Sequence, residues 1–244
     1  MIKGIGFDLQ FTIVTLEHFT LERWFRLFDA GFIKVKEYLR ALGIEFNQKK
    51  LKRTFRRIRN KYFAITITED QQYFTEEILR DTFSKLNITL TSNDFMKCVQ
   101  LYHSMEIPAW KSLPNAQKTL ETLSKNYKLA LITNASEYLT HEILQLQKLD
   151  DYFHFIFTKA RKPRPPAFQQ FKEAMHARFD ELVMVGDDIS ADIEPAVKLG
   201  MKTIHLYRGY EYLQHHAHIQ IKPDKKITRL EDVITAVEEL ETEQ

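Results

Sequence analysis

Ile2-Lys3-Gly4-Ile5-Gly6-Phe7, followed at once by Asp8-Leu9-Gln10-Phe11-Thr12, opens the chain. An apolar run that stops abruptly at an acid reads as a buried strand carrying a carboxylate to the edge of a parallel sheet. Open α/β sheets keep their chemistry at the carboxyl ends of strands, which is where Asp8 then sits. A single Asp after a single strand is common and reads equally well as a solvated strand end. Three later stretches supply the partners that Asp8 would need.

Working outward, residues 15–107 follow a helical rhythm. Leu21, Trp24, Phe25, Phe28 and Phe32 recur at three- and four-residue spacing. Val35, Tyr38, Leu39 and Leu42 continue the stripe, and Gly43 is a stop signal. Asn47 is placed to cap a second helix with Leu51, Phe55, Ile58 and Tyr62 on one face. Thr75 and Ser92 start two more. Ala64-Ile65-Thr66-Ile67-Thr68 is ambiguous between helix and strand.

Beyond Pro108 and Pro114 the texture changes to alternating strand and helix. Strands are expected near residues 127–132, 153–157, 182–185 and 202–206. Helices fall between them, near 115–126, 136–147, 165–178 and 190–199, with a last one near 229–241. This alternation implies a parallel sheet covered on both faces. The opening strand must join that sheet, so the helical region is an insertion after it.

The strand ends carry the reactive residues. The first gives Asp8, the second Thr133-Asn134, and the fourth runs into Gly186-Asp187-Asp188 with Asp192 close behind; Lys162-Pro163 follows the third. Carboxylates gathered at adjacent strand ends repel one another and call for a cation, and all-oxygen ligation suits Mg²⁺. A hydroxyl and a lysine nearby can hold phosphoryl oxygens. An Asp so placed can attack phosphorus and form an aspartyl phosphate. Taken singly, each motif has a plainer reading as turn or cap chemistry, with Asp188 or Ser190 as a helix cap.

These stretches together resemble the haloacid dehalogenase-like hydrolase superfamily. The likeness rests on Phe7-Asp8-Leu9-Gln10-Phe11-Thr12, Leu131-Ile132-Thr133-Asn134, Arg161-Lys162-Pro163-Arg164-Pro165, and Val185-Gly186-Asp187-Asp188 through Asp192. It implies an α/β fold with a Rossmann-like parallel sheet core, residues 1–14 and 108–244, and an inserted α-helical cap of type 1, residues 15–107. It implies a Mg²⁺-dependent phosphohydrolase acting on phosphate monoesters through an aspartyl phosphate. Asp8 would be nucleophile and metal ligand, with the main-chain oxygen of Gln10 and the carboxylate of Asp187 as further ligands. Thr133 and Lys162 would bind the phosphoryl group, with Asn134 beside them. Asp192 and Asp188 would support the metal or Lys162.

Two departures matter. Gln10 stands where the superfamily's phosphatases carry a second acid, and a glutamine amide cannot shuttle a proton at neutral pH. A metal-competent site with slowed turnover is the expectation. The alternatives are a catalytically impaired binding or regulatory protein that works through its cap, and a 2-haloacid dehalogenase. The loop before Lys162 is also short and basic, which leaves Lys159 or Arg161 as rival phosphate-binding bases.

Composition limits the remaining readings. The chain has 244 residues, a formal net charge of +2 and a single cysteine, Cys98. Intramolecular disulfides and cysteine-rich zinc sites are excluded. No apolar run approaches a membrane span, and the opening residues read as strand rather than as a signal peptide, so none is expected. A cytoplasmic protein without a membrane partner is expected, acting on a small anionic phosphorylated substrate. Residues 49–61 hold a run of Lys and Arg with no acid. This reads as a solvated helix face or as an attractor of polyanions, nucleic acid included. His215, His216 and His218 fit no usual zinc spacing.

Overall fold

The computed structural model describes residues 1–69, 73–209 and 221–242. The chain divides into two compact units, one of Met1–Leu16 with Lys111–Gln244 and one of Glu17–Trp110.

The first unit is built on a six-stranded sheet. Its strands are β1 (Gly4–Phe7), β4 (Lys128–Ile132), β5 (Phe155–Phe157), β6 (Leu182–Gly186), β7 (Lys202–Leu206) and β8 (Lys225–Ile227). They lie in the order β5-β4-β1-β6-β7-β8, every neighbour parallel. β1 is therefore central, flanked on both sides, as its unbroken burial requires. It is also where the strand order reverses direction, the place where open α/β sheets bind ligands. Helices α5 (Ala116–Ser124), α6 (Glu137–Gln147), α7 (Pro166–Met175), α8 (Glu194–Lys198) and α9 (Val233–Thr242) connect and follow the strands. Ala130, Ile132 and Met184 pack with Phe168, Phe171 and Met175 of α7 on one face. β1 turns its two glycines to that face: a Cβ on Gly6 would lie 2.8 Å from Ile132 and 3.1 Å from Phe171. Alternation then gives Ile5 and Phe7 to the opposite face.

Three short strands escaped the sequence reading. β2 (Val14–Leu16) and β3 (Trp110–Ser112) pair where the chain leaves and rejoins the first unit. β8 is the third, and like the other two it is three residues long. Runs of that length have too few side chains to establish a period.

The second unit is helical: α1 (Leu21–Ala41), α2 (Gln48–Glu69), α3 (Thr75–Ser84) and α4 (Ser92–His103). Thr20 caps α1 by accepting from Arg23 N at 3.1 Å, Asn47 accepts from Lys50 N at 2.9 Å at the start of α2, and Thr91 caps α4 through Asp94 N. α1 ends before Gly43, which takes a left-handed φ of 72°. Phe32 and Phe55 stack at 3.7 Å between α1 and α2. α1 and α4 approach so closely that a Cβ on Gly31 would stand 1.8 Å from Tyr102 O. The ambiguous stretch from Ala64 belongs to α2. The Thr66 hydroxyl there donates back to Tyr62 O at 3.0 Å, a bond that lets threonine sit within a helix.

Among the described residues no helix is long and apolar enough to cross a membrane. His215, His216, His218 and Tyr210 lie outside the described residues.

Candidate active site

Each reactive side chain reaches the same edge of the sheet because a strand ends beneath it. Asp8 follows β1, and its N–H donates to Val185 O at 2.9 Å, continuing the β1–β6 pairing by one residue. Asp187 follows β6, and Thr133 follows β4. After Asp8 the chain folds back within a few residues, with Ile13 N donating to Leu9 O at 2.9 Å and Phe11 in left-handed backbone at φ 64°. That turn brings Thr12 back over the strand end.

Thr12 is the residue that sequence reasoning passed over. It is fully buried. Its hydroxyl lies 3.4 Å from Asp8 Oδ2 and 3.1 Å from Asp187 Oδ1, and it accepts from Asp187 N at 3.1 Å. A hydroxyl has one proton to give, so it serves one carboxylate at a time and joins the two. The only available signal was its place four residues after Asp8. His205 on β7 adds a contact at 3.1 Å from Nε2 to the main-chain oxygen of Asp187.

Lys162 is buried, although lysine is rarely so unless paired. Its Nζ donates to Asp8 Oδ1 at 2.7 Å and to Asp192 Oδ1 at 2.5 Å. Burial alone would lower its pKa, but the charges of Asp192 and Asp8 outweigh that and hold it above the ordinary lysine range. Of the three basic candidates in this loop, Lys162 is the one beside Asp8; Lys159 is exposed. The peptide bond from Lys162 to Pro163 is cis.

Asn134 spends both ends of its amide on the lysine backbone. Lys162 N donates to Asn134 Oδ1 at 2.7 Å, and Asn134 Nδ2 donates to Lys162 O at 3.0 Å. Thr133 is buried beside it, with Oγ1 accepting from Ala135 N at 3.1 Å. Gln10 lies half-buried in the turn after Asp8, bridged to Val14.

Asp188 and Asp192 divide their work. Asp188 Oδ1 accepts from Ser190 N at 2.8 Å, Ser190 Oγ at 2.7 Å and Ala191 N at 3.0 Å, so Asp188 rather than Ser190 is the cap. The capped segment, Ile189–Ile193, is one wide π-helical turn. It sets Asp192 against the end of β6, where Gly186 makes room: a Cβ there would lie 2.2 Å from Asp192 Oδ2.

Asp8, Asp187 and Asp192 each offer a carboxylate oxygen within 4.8 Å of the others. Burial first, then the charges of Asp8, Asp192 and Asp188, push the Asp187 carboxyl well above the carboxylate range, against the Thr12 hydrogen bond. Burial also pushes Asp192 upward, with Lys162 pulling against it. Placed between Asp8 and Asp192, Lys162 stays an ammonium. One ammonium cannot offset three acids, so without a cation the carboxyls of Asp187 and Asp192 are driven toward their protonated forms. An oxygen-only donor set whose acids would ionise together only beside added positive charge fits a hard divalent cation.

A family profile described as haloacid dehalogenase-like hydrolase matches residues 33–206. A glyceraldehyde 3-phosphate phosphatase of Pyrococcus furiosus is 30% identical over 142 residues, 56% of this chain; the chain spans 59% of that relative's length. A pyrophosphatase PpaX of Bacillus mycoides is 27% identical over 174 residues, 68% of this chain and 78% of that protein. In structure, the chain is similar to a HAD phosphatase from Thermococcus onnurineus, with a TM-score of 0.66 and 22% identity over 97% of this chain and 98% of that one. At that identity the likeness is one of fold.

Proposed function

The chain belongs to the haloacid dehalogenase-like hydrolases, and on that premise we propose that it is a phosphohydrolase whose nucleophile is Asp8. The observation that carries the reading is the placement of the Asp8 carboxylate. One side of it meets the Lys162 ammonium at 2.7 Å, and the other is linked through Thr12 to Asp187. A carboxylate bordered by a cation and by a second acid is set to receive an anionic phosphoryl group rather than to sit in water. The names of two relatives, glyceraldehyde 3-phosphate phosphatase and pyrophosphatase, support a small phosphorylated substrate.

Asp8 and Asp187, with the main-chain oxygen of Gln10, would hold Mg²⁺. Bound there, the ion would neutralise the acids and polarise phosphoryl oxygens. Lys162 would take a phosphoryl oxygen while keeping its link to Asp192, and the Thr133 hydroxyl would take another. Asp8 attacks phosphorus, the P–O bond to the leaving group breaks, and the phosphoryl group becomes an acyl phosphate on Asp8. The leaving alkoxide then needs a proton. Gln10 cannot supply one, so the enzyme favours good leaving groups and holds the acyl phosphate longer than a relative with an acid there.

The test is release of p-nitrophenol from p-nitrophenyl phosphate, with and without Mg²⁺, by the wild type and Asp8→Asn. Release that needs Mg²⁺ and vanishes in Asp8→Asn is the expected result, with a burst before a slower steady state. Absence of release from folded protein that binds Mg²⁺ would sink the reading. It would favour the alternative of a fold kept for binding after catalysis was lost.

A further inference from the structure

Helix α2 is divided lengthwise by chemistry. Leu51, Phe55 and Ile58 are buried, and Tyr62 continues their side. The opposite half, spanning about 180° of the helix by its 3.6-residue period, exposes Lys49, Lys50, Lys52, Arg53, Arg57 and Lys61. None of the six has an ion-pair partner among the described residues, and the sequence from Gln48 to Thr68 contains no acid. Two further arginines of the helix are held by Asp29, one buried and one exposed. Arg59 is buried, bonded to Asp29 Oδ1 at 2.8 Å and lying 4.7 Å over the Phe25 ring. Arg56 pairs with the same Asp29. The helix is thus anchored through Asp29 while the six other outer charges stay unspent. An ordinary solvated face interleaves both signs; this one does not, in a chain whose net charge is only +2.

We propose that the exposed face of α2 docks duplex nucleic acid through its phosphate backbone. From Lys49 to Lys61 the helix rises about 18 Å. That is a rigid row of cations set against a duplex carrying one phosphate per roughly 1.7 Å of axis. Between Lys49 and Lys61 the face has no aromatic side chain on which an unpaired base could stack, as a single-strand surface requires. Nor has it an apolar side chain to enter a membrane, since the apolar half of α2 is already buried in its own unit. No base-reading side chain is singled out, so the contact is independent of base sequence. It also does not depend on the phosphohydrolase reading, because none of these residues belongs to the Asp8 site.

The full-length protein is titrated into a fluorescent two-turn duplex of arbitrary sequence, as DNA and as RNA, and anisotropy is followed across a salt series. With about five phosphates neutralised, affinity is expected to fall roughly 500-fold between about 50 and 200 mM salt. Arg53→Glu/Arg57→Glu should weaken binding at least about tenfold and make the log–log salt slope shallower by about 2. Lys49→Gln/Arg53→Gln serves if the reversal variant fails to fold. Lys97→Glu/Lys118→Glu, with the same net charge change on exposed positions elsewhere, should bind as the wild type does, and so should Asp8→Asn. Three results would each overturn the proposal: no duplex binding at low salt, equal loss in the Lys97/Lys118 variant, or tighter binding to polyglutamate or phosphatidylserine vesicles than to duplex.

Discussion

Asn134 grips Lys162 by its backbone, accepting from the lysine N–H at 2.7 Å and donating to the lysine carbonyl at 3.0 Å. The amide pairs with a peptide unit as a neighbouring strand would. It fixes the root of a side chain whose tip must meet Asp8 and Asp192 together.

Asn134→Ala removes both bonds. At ~0.5–1.5 kcal/mol net for each hydrogen bond, a stability loss of about 1–3 kcal/mol is expected by urea denaturation. With Lys162 less firmly set, kcat for p-nitrophenyl phosphate should fall about tenfold or more, since small misplacements of catalytic groups are costly. Unchanged kcat in a variant that shows the stability loss would mean that Lys162 keeps its place without Asn134.

Asp187 makes the metal-free protein sensitive to pH. Its folded pKa is raised, by burial first and by Asp8, Asp192 and Asp188 after it. In the window above the unfolded aspartate value, near 3.9, the folded state therefore binds more protons than the unfolded one. Stability from this group is full below that value and is lost as pH rises toward the folded pKa. In EDTA, Asp187→Asn should flatten this decline and melt higher than the wild type near neutrality. Added Mg²⁺ should raise the wild-type melting temperature, with linkage worth about 2.7 kcal/mol at 100 times Kd, and should leave Asp187→Asn nearly unmoved. Differential scanning fluorimetry across pH, with EDTA and with Mg²⁺, reads both effects. Equal Mg²⁺ stabilisation of the two proteins would remove Asp187 from the ligand set.

Gly186 tests the end of β6. Any Cβ there falls 2.2–2.5 Å from the Asp192 side chain, so Gly186→Ala must push that carboxylate off Lys162. Breaking a buried ion pair by displacing one partner costs about 3–5 kcal/mol. A loss of that order in urea denaturation is expected, together with loss of activity. Asp192→Asn/Gly186→Ala should lose no more than Gly186→Ala alone, because the pair is already broken. Full additivity of the two changes would separate the glycine from the ion pair.

The sequence made the sheet legible where strands were long and apolar. β1, β4, β6 and β7 were each readable from a run ending in a polar or acidic residue. That they form one parallel sheet, with β1 in it, followed from the alternation with helices and from the burial that β1 needs; their order did not. Asp8 and Asp187 were readable as partners because each stands just past a strand end, and Asp192 and Lys162 because they lie in the segments that follow β6 and β5. Contacts across large sequence separations were not readable. Nothing near Thr12 announces Asp187, 175 positions away, and nothing near Asn134 announces Lys162, 28 positions away. The charge run misled in one place. Arg59 looked like its neighbours, but Asp29 on α1 turns it inward.

In the proposed reaction Gln10 stands where an acid would move the proton, and its replacement is the most informative experiment on the Asp8 site. It is half-buried in the turn that follows Asp8, within a segment closed by Ile13 N to Leu9 O and Phe11 N to Val14 O. An aspartate there requires no change of backbone and adds a group able to protonate the leaving oxygen and later activate water. General acid–base catalysis contributes about 10²–10⁴-fold. Gln10→Asp is therefore expected to raise steady-state turnover by about 10²-fold or more and to shrink the burst as the acyl phosphate stops accumulating. The gain should be largest for poor leaving groups such as alkyl phosphates. Gln10→Ala, in contrast, should leave turnover close to the wild type, since the amide moves no proton. Steady-state and rapid-quench kinetics on the three proteins decide the matter. A folded Gln10→Asp protein with no gain on either substrate class would show that proton transfer at this position does not limit the reaction.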